Sequence, residues 1–92
     1  MLEKKGLVKL TEECGELIQI ASKKMTRMDS DEHWDGRGSI NKRMQEEISD
    51  VLAAIEIVIK NFDLNRDEII DRFCDKFTLF HEWQKGENDV NS

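Results

Sequence analysis

The stretch Met44-Gln45-Glu46-Glu47-Ile48-Ser49-Asp50-Val51-Leu52-Ala53-Ala54-Ile55-Glu56-Ile57-Val58-Ile59-Lys60-Asn61-Phe62 decides the fold. Within it Met44, Ile48, Val51, Ile55, Val58 and Phe62 recur at alternating steps of four and three, the period of one face of an α-helix. Leu52 and Ile59 widen the same stripe. Ala53, Ala54 and Ile57 fall outside it, so the middle of this helix is apolar nearly all round and calls for contact on more than one side. A subunit interface would supply the second contact. Ser39 suits the N-cap of this helix, which is expected to end near Asn61.

Upstream, Leu7, Leu10, Cys14, Leu17, Ala21, Met25 and Met28 repeat every three or four residues, which predicts a first helix over roughly residues 3–28. Between the two, Asp29 to Gly38 loses that period and collects polar residues and glycine, the composition of a connecting loop. Downstream, Asn65 followed by Glu68 has the spacing of a capping box, and Asp67 and Glu68 suit the positive end of a helix dipole. Ile69, Ile70, Phe73, Phe77, Phe80 and Trp83 then mark a third helix, with Phe73, Phe77, Phe80 and Trp83 assigned to the core. From Gly86 the periodicity ends, so residues 1–85 are read as one domain and residues 86–92 as a disordered tail.

The chain has no proline and five glycines, which favours helices throughout. The expected class is all-α: an antiparallel helical hairpin plus a third helix. Helices of about 22 to 26 residues would span roughly 33 to 39 Å, long for one small globule, so assembly into an oligomeric helical bundle is expected.

With 92 residues there is room for one domain, and a domain of this size buries a small fraction of its surface. Fourteen Lys and Arg against twenty Asp and Glu give a net charge of -6, which argues against nonspecific attraction to nucleic acid or to an anionic membrane. Glu56 interrupts the longest apolar run, Val51 to Ile59, so no transmembrane span is expected. No apolar core of signal-peptide length follows Lys4 and Lys5, since Lys9, Glu12 and Glu13 arrive too soon; a cytoplasmic protein is expected. Cys14 and Cys74 have no partner at ligand spacing and read as reduced, buried thiols.

Two segments match each other: Glu12-Glu13-Cys14-Gly15-Glu16-Leu17-Ile18 and Glu46-Glu47-Ile48-Ser49-Asp50-Val51-Leu52. Both run acid, acid, apolar, small, acid, aliphatic, aliphatic. Residues three apart share a helix face, so Glu13 pairs with Glu16 and Glu47 with Asp50, each pair beside the apolar stripe. Antiparallel packing brings the two motifs to the same height, because they lie about equally far from the loop. Four carboxylates converging on a packed seam repel one another, and a divalent cation removes the objection. Mg²⁺ suits such oxygen ligands and is commonly completed by substrate phosphates, with Mn²⁺ as a substitute. Gly15 costs about 1 kcal/mol in a helix, and close approach of a partner backbone or a ligand beside the pair would explain it. Either pair alone would read as ordinary surface glutamates; the duplication favours the metal.

These residues resemble the all-α nucleoside triphosphate pyrophosphatases, the MazG-like proteins with their dCTPase and phosphoribosyl-ATP pyrophosphohydrolase relatives, over roughly residues 7–83. The resemblance lies in Glu13-Cys14-Gly15-Glu16-Leu17 followed by Glu47-Ile48-Ser49-Asp50-Val51-Leu52. It implies that Glu13, Glu16, Glu47 and Asp50 hold Mg²⁺ and that an NTP or dNTP is converted to the monophosphate and pyrophosphate by water attacking the α-phosphorus. It also implies a homodimer or homotetramer. Glu12 and Glu46, each next to a ligand pair, are candidates to accept the proton of that water, or are solvated helix-face glutamates.

Arg72 and Lys76, four apart on the third helix, are candidates to neutralise the triphosphate, or are partners of Asp71 and Asp75. Lys23, Lys24, Arg27, Arg37 and Lys42 around the loop are further candidates. Trp34, in the loop, could stack on the base or close the end of the bundle. His33 and His81 read as structural. The alternatives are a non-enzymatic helical dimerisation or adaptor module and, within the enzyme class, a phosphoribosyl-ATP pyrophosphohydrolase.

Overall fold

The computed structural model describes residues 3–30 and 38–91, with side chains to Gly86. It is all-helical: a short 3-10 turn, Glu3–Gly6, then α1 (Leu7–Thr26), α2 (Ile40–Asn61) and α3 (Arg66–Asn91). The expected all-α class and the three helices are present. No helix among the described residues is long and apolar enough to cross a membrane.

α1 and α2 form the antiparallel hairpin. The contacts run in reverse order along the two helices: Gly6 lies against Ile57, Val58 and Asn61, Glu13 beside Glu47 and Asp50, and Lys23 across a cleft from Arg43. The seam buries Ile20, Ile40, Val51, Ala54, Val58 and Ile59. Val51, Val58 and Ile59 belong to the stripes read from the sequence, whereas Ile20, Ile40 and Ala54 lay outside them, and the stripe members Met25, Met28, Ile48 and Leu52 are exposed.

α1 begins later than its periodicity suggests. Lys4 and Lys5 have φ of 48° and 59°, and Gly6 has φ of 93°, so the chain enters in a left-handed turn rather than a regular helix. The turn is pinned to the end of α2, where Asn61 Nδ2 donates to the Lys5 carbonyl at 2.9 Å and the Lys5 ammonium lies 5.3 Å from the Phe62 ring centroid. A Cβ at Gly6 would stand 3.0 Å from Ile57 Cγ2, so glycine serves both the positive φ and the close approach.

The two expected caps are formed. Ser39 Oγ accepts from the Lys42 N–H at 3.0 Å, and Asn65 Oδ1 from the Glu68 N–H at 3.0 Å, each satisfying an amide that the first helical turn leaves open. Between α2 and α3 the chain turns through Asp63 at φ 51°, and Arg66 Nη2 binds Glu56 Oε2 at 2.8 Å.

Three expectations are corrected. α3 does not stop at Gly86 but runs to Asn91, because Gly86 keeps helical backbone geometry instead of the left-handed cap that would end it. The aromatic residues assigned to the core are exposed: Phe73, Phe77, Phe80 and Trp83 lie on a helix that makes no extended packing with α1 or α2. Cys74 is exposed and Cys14 half-buried. Within one chain a Cβ at Gly15 would meet nothing within 4 Å, which leaves the expected close approach to a partner backbone or a ligand.

Candidate metal and phosphate site

Counting round each helix from the seam, Glu13 on α1 and Glu47 on α2 occupy the inward face, with Glu16 and Asp50 one turn on at its edge. Glu13 is 7% exposed, the one buried charged residue among the described residues. Carboxylate oxygens of Glu13, Glu47 and Asp50 all lie within 4.8 Å of one another. Glu16 stands at the edge of the group, where its charge acts on Glu47.

The electrostatics are those of crowded anions. Glu47 is held above the ordinary carboxyl range, first by loss of solvent, then by the charge and hydrogen bond of Glu16, then by Asp50 and Glu13. Lys9 gives partial relief, with its ammonium 3.2 Å from Glu13 Oε1 and 3.3 Å from Glu12 Oε1. The other oxygens are left over: Glu13 Oε2 and Glu47 Oε2 are buried with no hydrogen-bond partner. Acceptor atoms in that condition suit a bound cation, since each orphan costs about 1–3 kcal/mol until something donates to it or coordinates it.

A cleft of about 230 Å³ opens beside the group, lined by Glu16, Gln19, Ile20, Lys23, Arg43 and Glu47. It therefore has a carboxylate end and a cationic end, formed by one cation from each hairpin helix. Lys23 was a candidate from sequence. Arg43 and Gln19 were missed, although Arg43 stands one helical turn before Glu47 and so shares its face; that spacing was the available signal.

The remaining candidates separate. Glu12 is exposed in its ion pair with Lys9, and Glu46 is exposed on α2. Neither joins the close carboxylate group. Arg72 and Lys76 are on α3, which makes no extended packing with the hairpin, and they do not line this cleft. His81 stacks on Phe77 with centroids 6.2 Å apart. Trp34, His33 and Arg37 lie outside the described residues. No known family model, curated protein or solved structure matches this chain.

Proposed function

We propose that the chain is a Mg²⁺-dependent nucleoside triphosphate pyrophosphohydrolase, which converts an NTP or dNTP to the monophosphate and pyrophosphate and works as a homodimer or homotetramer. One observation carries the reading: Glu13 and Glu47, from opposite helices and each with a buried oxygen lacking a partner, come together beside a cleft that Glu47 lines with Lys23 and Arg43. The resemblance of the paired acidic motifs supplies the reaction.

Glu13, Glu47 and Asp50 would hold the metal, with Glu16 at the edge. Mg²⁺ supplies Lewis-acid polarisation of phosphoryl oxygens and a bound water of lowered pKa. The chain's own residues do the rest. Lys23 and Arg43 would bind the phosphates that extend along the cleft, as charge-assisted donors, and hold the triphosphate in line for attack. Gln19 would donate to a non-bridging oxygen. Glu16, at the edge of the group and lining the cleft, would take a proton there, a role the sequence had given to Glu12 and Glu46.

The test is a panel of dNTPs and NTPs with Mg²⁺ or Mn²⁺, with pyrophosphate and orthophosphate measured separately. Pyrophosphate as first product, absent for Glu47→Gln, is expected. Orthophosphate first would refute attack at the α-phosphorus. Silence across the panel, with no stabilisation by Mg²⁺, would favour the adaptor reading, in which the acidic cluster serves a basic partner.

A further inference from the structure

The chain is thin. Its Cα extents are 44 × 34 × 14 Å, and the shortest of these leaves room for one layer of helices, each about 10 Å across. A domain needs two layers to enclose a core. The accessible surface is 7530 Å² for a 10.8 kDa chain, whereas a compact monomer of that mass exposes about 5,500 Å². The excess, roughly 2,000 Å² per chain, is in the range that obligate dimers bury.

Two bare apolar faces contribute to that excess. On α3, Ile70, Phe73, Phe77, Phe80 and Trp83 form a stripe in which every member is at least half exposed. On the hairpin, Ile18 and Met25 of α1 and Ile48 and Leu52 of α2 are exposed, at 65%, 72%, 46% and 58%. These four stand at similar rotations from Glu13 and Glu47, and in an antiparallel pair equal rotations from the seam point to the same broad side. Glu16, Lys23, Arg43 and Asp50 are rotated the other way. The hairpin therefore has a cleft side and an apolar side.

We propose that α3 of one copy lies across the apolar side of a second copy's hairpin, and that two copies exchange their third helices about a two-fold axis. A chain's own α3 does not cover that side, because the Asp63 turn and the Arg66–Glu56 ion pair fix how it leaves α2. One chain carries both halves of the contact, so a second copy closes it without any other partner. The charges agree with this. Arg72 and Lys76 run along one edge of the aromatic stripe, while Asp67, Asp71 and Asp75 fall on the opposite side of α3, which keeps acids out of the seam between two acidic chains. The exchange also leaves the carboxylate cleft open to solvent, and it stands independently of the reaction proposed above.

The experiment is mass by light scattering and sedimentation on three forms of the full chain. One is unaltered, one carries Phe73→Asp with Phe77→Asp on α3, and one carries Ile18→Asp with Leu52→Asp on the hairpin. The unaltered chain is expected at twice 10.8 kDa or a multiple of that, and each variant alone at the single-chain mass. Mixed, the two variants should recover a two-chain species, since the intact α3 of one meets the intact hairpin of the other. This mixing decides the matter even where a variant alone loses helicity. An unaltered chain at the single-chain mass would overturn the proposal. So would a hairpin variant that stays dimeric, which would place the contact between two third helices, or a mixture that never recovers the two-chain mass.

Discussion

Glu13 of α1 and Glu47 of α2 face each other across the hairpin seam, with carboxylate oxygens within 4.8 Å and one further oxygen on each buried without a partner. Two anions so placed destabilise the seam unless a cation joins them. Removing one charge should therefore stabilise the metal-free chain: Glu47→Gln is expected to raise its unfolding free energy by about 1 kcal/mol, the scale of one relieved buried acceptor. In thermal unfolding that is a gain of roughly 4–8 °C for a domain this small. Added Mg²⁺ should reverse the ranking, stabilising the unaltered chain and leaving the variant unmoved. A Glu47→Gln chain less stable than its parent without metal would show that the seam relies on that carboxylate.

The same crowding sets a pH dependence. Glu47 has a folded-state pKa raised above the ordinary 4.5, so the folded chain binds the proton more tightly than the unfolded chain does. Its contribution is most favourable below about 4.5 and is lost as the pH rises through the raised value. Glu56 works in the opposite sense: Arg66 holds it below its ordinary value, so its contribution is present at higher pH and is lost as the pH falls through the lowered folded value. Subtracting the urea stability of Glu47→Gln from that of the parent at each pH cancels Glu56. The difference should grow more unfavourable to the parent from mildly acidic to neutral pH without divalent cations. A flat difference would contradict the coupling.

The cleft distinguishes two sets of cations. Lys23 and Arg43 line it and Arg72 and Lys76 do not. A charge-assisted hydrogen bond contributes about 1.5–3 kcal/mol, so Lys23→Ala or Arg43→Ala should raise KM for a triphosphate about tenfold or more while the Mg²⁺-induced stabilisation persists. Arg72→Ala and Lys76→Ala should change KM by less than about threefold, the scale of exposed charges. The reverse ranking would return the triphosphate to the third helix, as the sequence alone suggested.

That contrast shows what the sequence conveyed and why. The hairpin was legible in part: Val51, Val58 and Ile59 are buried where the three-and-four step puts them, whereas Ile48 and Leu52 of the same stripe are exposed and the buried Ile20 and Ala54 lay outside it. Ser39 and Asn65 cap through hydrogen bonds that need only near neighbours. The convergence of Glu13 with Glu47 followed from their equal distance to the loop. Period alone does not say what a stripe packs against, and so Phe73, Phe77, Phe80 and Trp83 read as core although their own chain leaves them bare. Arg43 was hidden for another reason. A lone cation among many in a charged helix has no signal until the face it shares with Glu47 is seen to line a cleft. The left-handed run Lys4–Gly6 was also illegible, because lysine disfavours positive φ and only the contact with α2 explains it.

Gly6 offers the most local test of that entry turn. Its φ of 93° is one that L side chains rarely adopt, and an added Cβ would stand 3.0 Å from Ile57 Cγ2. Gly6→Ala should thus combine backbone strain of about 1–2 kcal/mol with displacement of the Ile57 methyl, loosening the hold of Asn61 on the Lys5 carbonyl. Asn61→Ala removes the hydrogen bond alone and should cost about 1 kcal/mol. Because both act on one contact, the double variant should cost less than the sum of the two single ones. Additive losses in urea unfolding would mean that the turn and the end of α2 are held independently. Helix α1 beyond Leu7 should be unaffected in either variant, as its amides are satisfied within the helix, and hydrogen exchange along residues 11–26 is the measurement that separates a local loosening from global destabilisation.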